Sequence, residues 1–346
     1  FFGLIRDYKG LDLLIEAKLE RNNSGFPLNE VYVLESSEYP GHTIKIKGNP
    51  NLGYVKGFMI GVRNVDDNKG DLCAEVWVNE LRVSGLDEQG GAAALARLDM
   101  QLADFGSVSL SGNYSTIGWG GIEEKLGERA REEVLEYDAS ANLELSKFLP
   151  EESGVKIPVY GQISQSIRTP QFDPYDLDIE LDRKLEDLNG PTRDSVREQA
   201  LDVTTIKSIN ATNVRKEFKG EGKPMPWSIS NFTATYGFTE SDHRDPLIEL
   251  DNTKNHHAVL RYNYRYEPLY IEPFKNMFSE TDYLDFIKEL HFNFLPNAFG
   301  HNSTVDRTLN VRRYRFSNPE FSTWYDRQFT WNRDYSVRWD LTRSLS

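Results

Sequence analysis

The sequence predicts an all-β chain: an antiparallel transmembrane β-barrel segment of about ten long strands, preceded by part of a soluble β-sandwich module. The first observation behind this is residues 92–116, AAALARLDMQLADFGSVSLSGNYST, which read as two arms joined by a tight turn. Ala94, Ala96, Leu98, Met100 and Leu102 alternate with Leu95, Arg97, Asp99 and Gln101. Val108, Leu110, Gly112 and Tyr114 then alternate with Ser107, Ser109, Ser111, Asn113 and Ser115. A two-residue period sends the two sets to opposite faces, one apolar and one wet. The second observation is length: about ten residues at about 3.3 Å each, tilted near 45°, cover about 24 Å, close to the apolar band of an outer-membrane barrel. The third is composition. Aromatics make up 12% of a chain whose mean hydropathy is −0.58, a pairing suited to a polar lumen, polar loops and aromatic girdles. A ribbon on a large soluble sandwich alternates too, so the hairpin alone leaves both readings open.

The 346 residues suffice for one large or two ordinary domains. A net charge of −14 and a pI near 5.0 argue against nucleic acid as a partner, since phosphate binding needs a basic footprint. No run of apolar residues is long enough for a transmembrane helix, but alternating strands escape that test. Cys73 is the single cysteine, so no intrachain disulfide forms, and it reads as a small buried thiol. The chain opens at Phe1 without an initiator Met or signal peptide and stops at Ser346 inside a patterned stretch, which suggests a piece of a longer protein.

Taken in order, residues 1–86 form the expected sandwich-like module. Patterned runs at 30–34, 43–47, 54–63 and 74–83 are separated by Gly-, Pro- and Asn-rich turns, while LDLLIEAKLE fits either helix or strand. Residues 87–346 form the expected partial barrel with long extracellular loops, joined through 84–91. After the opening hairpin, 117–137 reads as a loop with a short helix in its second half. Strands follow at 137–148 and 157–166 across a brief turn. Residues 168–202 are polar, acidic and proline-bearing and read as a solvated loop; 203–218 carries a weak strand pattern. Strands are expected at 227–238 and 258–266, separated by a long loop at 241–255, and then at 290–294, 304–311 and 329–341. Connections alternate short and long until 267–288, a long one with a helix near 279–287 where a short turn is due.

At EVWVNELRVSGLDEQGG from Glu75, LADFGSVSLSGNYST, EEVLEYDASANLELSKFLPEESGVKIPVY, FNFLPNAF from Phe292 and FTWNRDYSVRWDLTRSL from Phe329, the sequence resembles the SprA/Sov family, the outer-membrane translocon of the type IX secretion system of Bacteroidota. The resemblance implies an internal slice of a very large barrel that passes folded cargo, gliding adhesins and secreted enzymes bearing a C-terminal sorting domain, to the cell surface. It further implies a PorV-type shuttle barrel at a lateral opening, a periplasmic plug protein, membrane lipid around the wall, and no nucleotide site.

No motif points to bond chemistry: there is no G-x-S-x-G, P-loop, H-E-x-x-H or paired C-x-x-C. No catalytic residue, cofactor site or metal ligand is assigned. His256 and His257 are neighbours on a strand and point apart. Asp173, Asp176, Asp178, Glu180 and Asp182 lack the spacing of a calcium loop, and Glu123 and Glu124 diverge too far for a glycosidase pair. The expected working surface is instead a lumen face carrying Arg97, Asp99, Gln101, Ser109, Asn113, Asn142, Arg261, Asn263 and Arg265, hydrated and free of apolar patches that would hold cargo. Phe148, Trp227, Phe238, Tyr266 and Trp339 are expected as interface anchors. A secreted adhesin or carbohydrate-binding sandwich, soluble without detergent, is the alternative; a polysaccharide-cleaving enzyme is a third reading for which no residue stands out.

Overall fold

A computed structural model describes residues 10–35, 41, 43–51, 55–57, 59, 61, 75, 77, 89–186, 188–222, 224–266, 270–273, 291–316 and 322–341. The expected strands at 54–63 and 74–83 fall mostly outside these residues; Cys73 and the helix expected near 279–287 fall wholly outside. Contacts divide the chain into two compact units. One is Phe1–Ala93, Ser115–Glu133 and Arg168–Leu201, and the other is Ala94–Tyr114, Val134–Ile167 and Asp202–Ser346.

The stretch that fits helix or strand by sequence is helix α1, Gly10–Ser24. Leu13, Ala17 and Arg21 recur at the four-residue spacing of one helical face and all three are buried. Gly25, at φ 68°, ends the helix: its N–H reaches the Asn22 carbonyl at 3.3 Å and the Phe26 N–H reaches the Arg21 carbonyl at 3.3 Å, the paired closure that a left-handed residue permits. Phe26 then packs edge-on against Tyr32, centroids 5.4 Å apart. Tyr32 opens β1 (Tyr32–Glu35), which pairs antiparallel with β2 (Thr43–Ile46), matching two of the expected runs.

The opening hairpin is present as β3 (Ala93–Leu102) and β4 (Gly106–Ser115). Next come β5 (Glu132–Glu144), a two-residue β6 (Val155–Lys156) and β7 (Pro158–Pro170). The helix expected late in 117–137 is replaced by a single 3-10 turn, Leu126–Glu128, and by the first residues of β5. In that loop Gly118 holds φ 81°, and a Cβ there would lie 2.3 Å from the Gln89 carbonyl oxygen. Gly118→Ala is expected to break the 2.8 Å bond from its N–H to the Ala130 carbonyl and to open a new protease cleavage site between β4 and β5, read by limited proteolysis.

Residues 168–202 are not a solvated loop. They fold as a hairpin of β8 (Phe172–Asp173) and β9 (Asp176–Glu180), followed by helices α2 (Leu181–Glu186) and α3 (Gly190–Ala200). Leu181, Leu185 and Ala200 form a small core with Val196 against it, and Ile179 is buried. So few apolar residues scattered among acids give no periodic signal, although they are enough to pin two short helices.

The remaining strands are β10 (Asp202–Lys216), β11 (Phe232–Arg244), β12 (Ile248–Arg265), β13 (Ala298–Tyr314) and β14 (Thr323–Arg338). All the long strands join one ten-stranded sheet in the order β14-β13-β12-β11-β10-β7-β5-β4-β3, with β6 on β10. The β10–β11, β11–β12, β12–β13 and β13–β14 pairs are antiparallel in continuous register, broken by shifts at Ala211/Val214 and Ile248/Leu250. No closed barrel forms among the described residues; β3 and β14 are the sheet's edges.

Two sequence expectations are corrected here. The long loop at 241–255 is the outer half of a hairpin, with only Asp245, Pro246 and Leu247 between β11 and β12. Of the run at 290–294, the described residues 291–294 form no sheet strand; their pairing is one bridge, Ile271 with Phe292. Without that strand β12 pairs directly and antiparallel with β13, and the up-and-down parity is restored. Short and long connections then occur at both ends of the sheet.

Candidate functional site

In an antiparallel pair, residues in direct register share a face, so the registers sort the sheet into two surfaces. One carries the row Ala211, Tyr236, Ala258, Val305 and Trp331, flanked by the rows Phe232, Tyr262, His301, Tyr335 and Ile209, Phe238, His256, Arg307, Phe329. Tyr236 is 46% exposed, Phe329 64% and Tyr335 65%. Residues 256–264 of β12 run about 30 Å along the strand, or about 20 Å of height at a tilt near 45°, comparable with a barrel's lipid-facing band. Arg333 lies within this band, its guanidinium 3.8 Å from the Trp331 ring centroid, and Arg307 stands at its edge in the His256 row.

The opposite surface is predominantly polar, with Leu95, Ile206, Val259 and Trp324 among its apolar members. Arg261, Asn263 and Arg265 share it with Asn302 and Asp334 through direct register. Across β3 to β7 its members bond to each other: Arg97 Nε donates to Asp99 (2.8 Å), as does Ser109 Oγ (2.5 Å). Asn113 and Ser166 donate to Glu136 (3.5 and 3.2 Å), and Gln162 donates to Asp138 (2.6 Å). Strand alternation places Gln101 with Asp99 and Asn142 with Asp138. On the other surface Tyr137 bonds to Gln165, which donates to Thr205 at 2.9 Å, and Thr205 shares its face with Ile209 and Ala211. The same two surfaces therefore run from β3 to β14, and every residue expected on the lumen face lies on the polar one.

That surface has mixed charge and internal pairing. Arg312 holds Asp251 at 2.7 Å, Asn310 donates to Asp251 at 2.7 Å, and His257 meets Asp306 at 2.5 Å. His256 lies on the other face, near Phe238, so the two adjacent histidines point apart as their spacing requires. Phe148, Trp227, Tyr266 and Trp339 all fall at the sheet end that carries the β3–β4 turn; Phe238 lies within β11 instead. Trp339 Nε1 donates to the Asn293 carbonyl (2.9 Å) and Tyr262 Oη to the Pro226 carbonyl (2.7 Å), so these rings keep a hydrogen-bonded polar tip, as interfacial aromatics do.

The sheet lacks an interior of its own. Among the described residues Val203 is its one buried hydrophobic side chain; the others, including Leu13, Ala17, Ile46, Ile179 and Leu181, belong to the first unit. That unit contains a feature which sequence reasoning missed. Lys18 is 0% exposed and its Nζ donates to Asp176 (2.7 Å), Asp178 (2.6 Å) and the Pro50 carbonyl (2.9 Å). Asp173 is likewise buried and paired with Lys184. The acidic run therefore serves buried ion pairs. Alternation within the run was visible in the sequence, but the distant lysine was not. Among the described residues no group of three or more His, Cys, Asp or Glu side chains is placed to hold a metal ion.

The SprA_N family, described as motility related/secretion protein, matches residues 7–185. The chain belongs to the SprA family. It is therefore a motility-related secretion protein of the cell envelope, from a family of secretion proteins rather than enzymes. No curated protein matches it. The SprA_N match spans the buried Lys18 cluster and the strands from β3 to β7, so one family segment includes both the helical unit and the start of the sheet.

Proposed function

We propose that this SprA chain is part of the protein-conducting outer-membrane channel of the type IX secretion system. The Tyr236, Ala258 and Trp331 face meets lipid, and the Arg97, Asn142 and Arg265 face lines an aqueous path for folded cargo. The observation that carries this reading is the single-layer sheet whose apolar face is exposed over band-like height while many side chains of its polar face hydrogen-bond to one another. In water an apolar surface of that extent would be a liability; in a bilayer it is the stabilising side. Many donors and acceptors on the polar face are already paired with one another, so a passing protein meets few unmet groups. Further strands at the β3 and β14 edges complete the wall, because an open edge is not tolerated in lipid. A PorV-type shuttle barrel, a periplasmic plug protein and cargo with a C-terminal sorting domain are the partners this reading implies.

The test makes the polar face sticky without touching the apolar one. Asn113→Phe, Asn142→Phe and Asn263→Phe combined in the native protein are expected to leave membrane assembly intact and to lower the ratio of secreted to periplasmic cargo several-fold. An unchanged ratio with normal assembly would count against a conduit role for this face. A polypeptide recovered without detergent would favour the soluble adhesin instead.

A further inference from the structure

We propose that the apolar face of β10 to β14 ends in a basic belt that binds the phosphate of lipid headgroups; this rests on the reading that this face meets lipid. The belt is defined by register. One row across five strands reads Lys207, Glu240, Lys254, Leu309, Arg327, and the adjoining row reads Ile209, Phe238, His256, Arg307, Phe329. Arg307 is directly opposite His256 and Phe329, so Lys254 and Arg327 are its diagonal neighbours, about 7–8 Å away. Four cations thus share a patch with one acid, Glu240, which pairs with Lys254 at 3.2 Å and accepts from Asn252 at 3.0 Å. Asp242 follows one row further out, in register with Asn252. No ion pair is found for Arg307, Arg327 or Lys207 among the described residues, and all three are exposed. Arg327 lies over the Tyr325 ring at 5.8 Å, and Phe329 lies between it and the apolar rows.

The position within the sheet decides the ligand. The belt begins where the apolar rows end, at the level where headgroup phosphates follow hydrocarbon. Exposed guanidinium groups match phosphate oxygens in pairs, and aromatic rings beside them suit the interface. The surplus is specific to this face: at the same levels the polar face carries Asp306 and Asp326, and the chain as a whole is strongly acidic, at −14.

The experiment uses the full chain, transferred from detergent to vesicles of phosphatidylcholine alone or with added phosphatidylglycerol, and reads binding by tryptophan fluorescence. The expected result is tighter binding to the phosphatidylglycerol vesicles, weakened about fivefold for each charge removed in Arg307→Gln and Arg327→Gln, with binding to phosphatidylcholine unchanged. Arg261→Gln with Arg265→Gln, on the opposite face, is expected to keep the full preference. Equal binding of the unaltered chain to both vesicles would overturn the belt while leaving the membrane reading standing. Release by inorganic phosphate beyond that by chloride of equal ionic strength would overturn a headgroup site in favour of a free-anion site. Failure to bind either vesicle would overturn both the belt and the membrane reading.

Discussion

Replacing Lys18 with methionine is expected to destabilise the helical unit by about 3–5 kcal/mol, the usual consequence of stripping a buried ion pair of one member. Lys18 is fully buried, with Asp176 and Asp178 oxygens 2.7 and 2.6 Å from its Nζ, so the variant would leave two carboxylates without their cation. Denaturant titration followed by protease resistance of α1 is the measurement, and Lys18→Met with Asp176→Asn and Asp178→Asn should recover part of the loss. The cluster also makes a pH prediction. Burial pushes the Asp176 carboxyl above its ordinary value of 3.8, Lys18 pulls it down, and neighbouring Asp178 adds to the rise. An acid whose folded value exceeds its unfolded one holds its proton more tightly when folded. Its contribution is therefore complete below the ordinary carboxylate range and is lost as pH rises through the raised value. Asp178→Asn removes one source of the rise and should flatten that slope.

The second large effect lies in the sheet. Leu110→Arg on β4 and Ala258→Arg on β12 each place a charge on the apolar face, where lipid exposure costs about 2–4 kcal/mol at midplane. Both are expected to abolish stable membrane assembly, read as loss of heat-modifiable, protease-resistant protein. Arg97→Glu and Arg265→Glu on the polar face should leave assembly intact, because Arg97 is well exposed and its Asp99 pair stabilises little in water. Equal tolerance of all four would remove the basis for assigning the faces.

How far the sequence revealed this depends on where each residue lies relative to the apolar band. Inside the band one face is greasy and the other wet, so β3, β4 and the second half of β12 are plain as alternation. Beyond it both faces are polar. Asp242 and Arg244 on one face and Ser241 and His243 on the other give no period, so 241–255 reads as a loop although all but its three-residue turn lies in paired strands. Residues 290–294 erred the other way, since the apolar Phe292 and Phe294 mimic a strand. The residues expected on the lumen face share one polar surface because alternation alone determines a face. Lys18 was missed because its partners lie about 160 positions away in sequence, and local pattern holds no record of such a contact. The basic belt was likewise invisible: Lys207, Lys254, Arg307 and Arg327 are spread over 121 residues of chain and become neighbours only through strand register.

The most direct test of the account is a single-cysteine scan of residues 256–263 along β12, with Cys73 replaced by serine and the protein in its native membrane. A water-soluble maleimide should label positions 257, 259, 261 and 263, while 256, 258, 260 and 262 stay unlabelled until detergent is added. Equal labelling of both sets, in intact membranes and with the sheet still assembled, would contradict a wall with lipid on one side and water on the other.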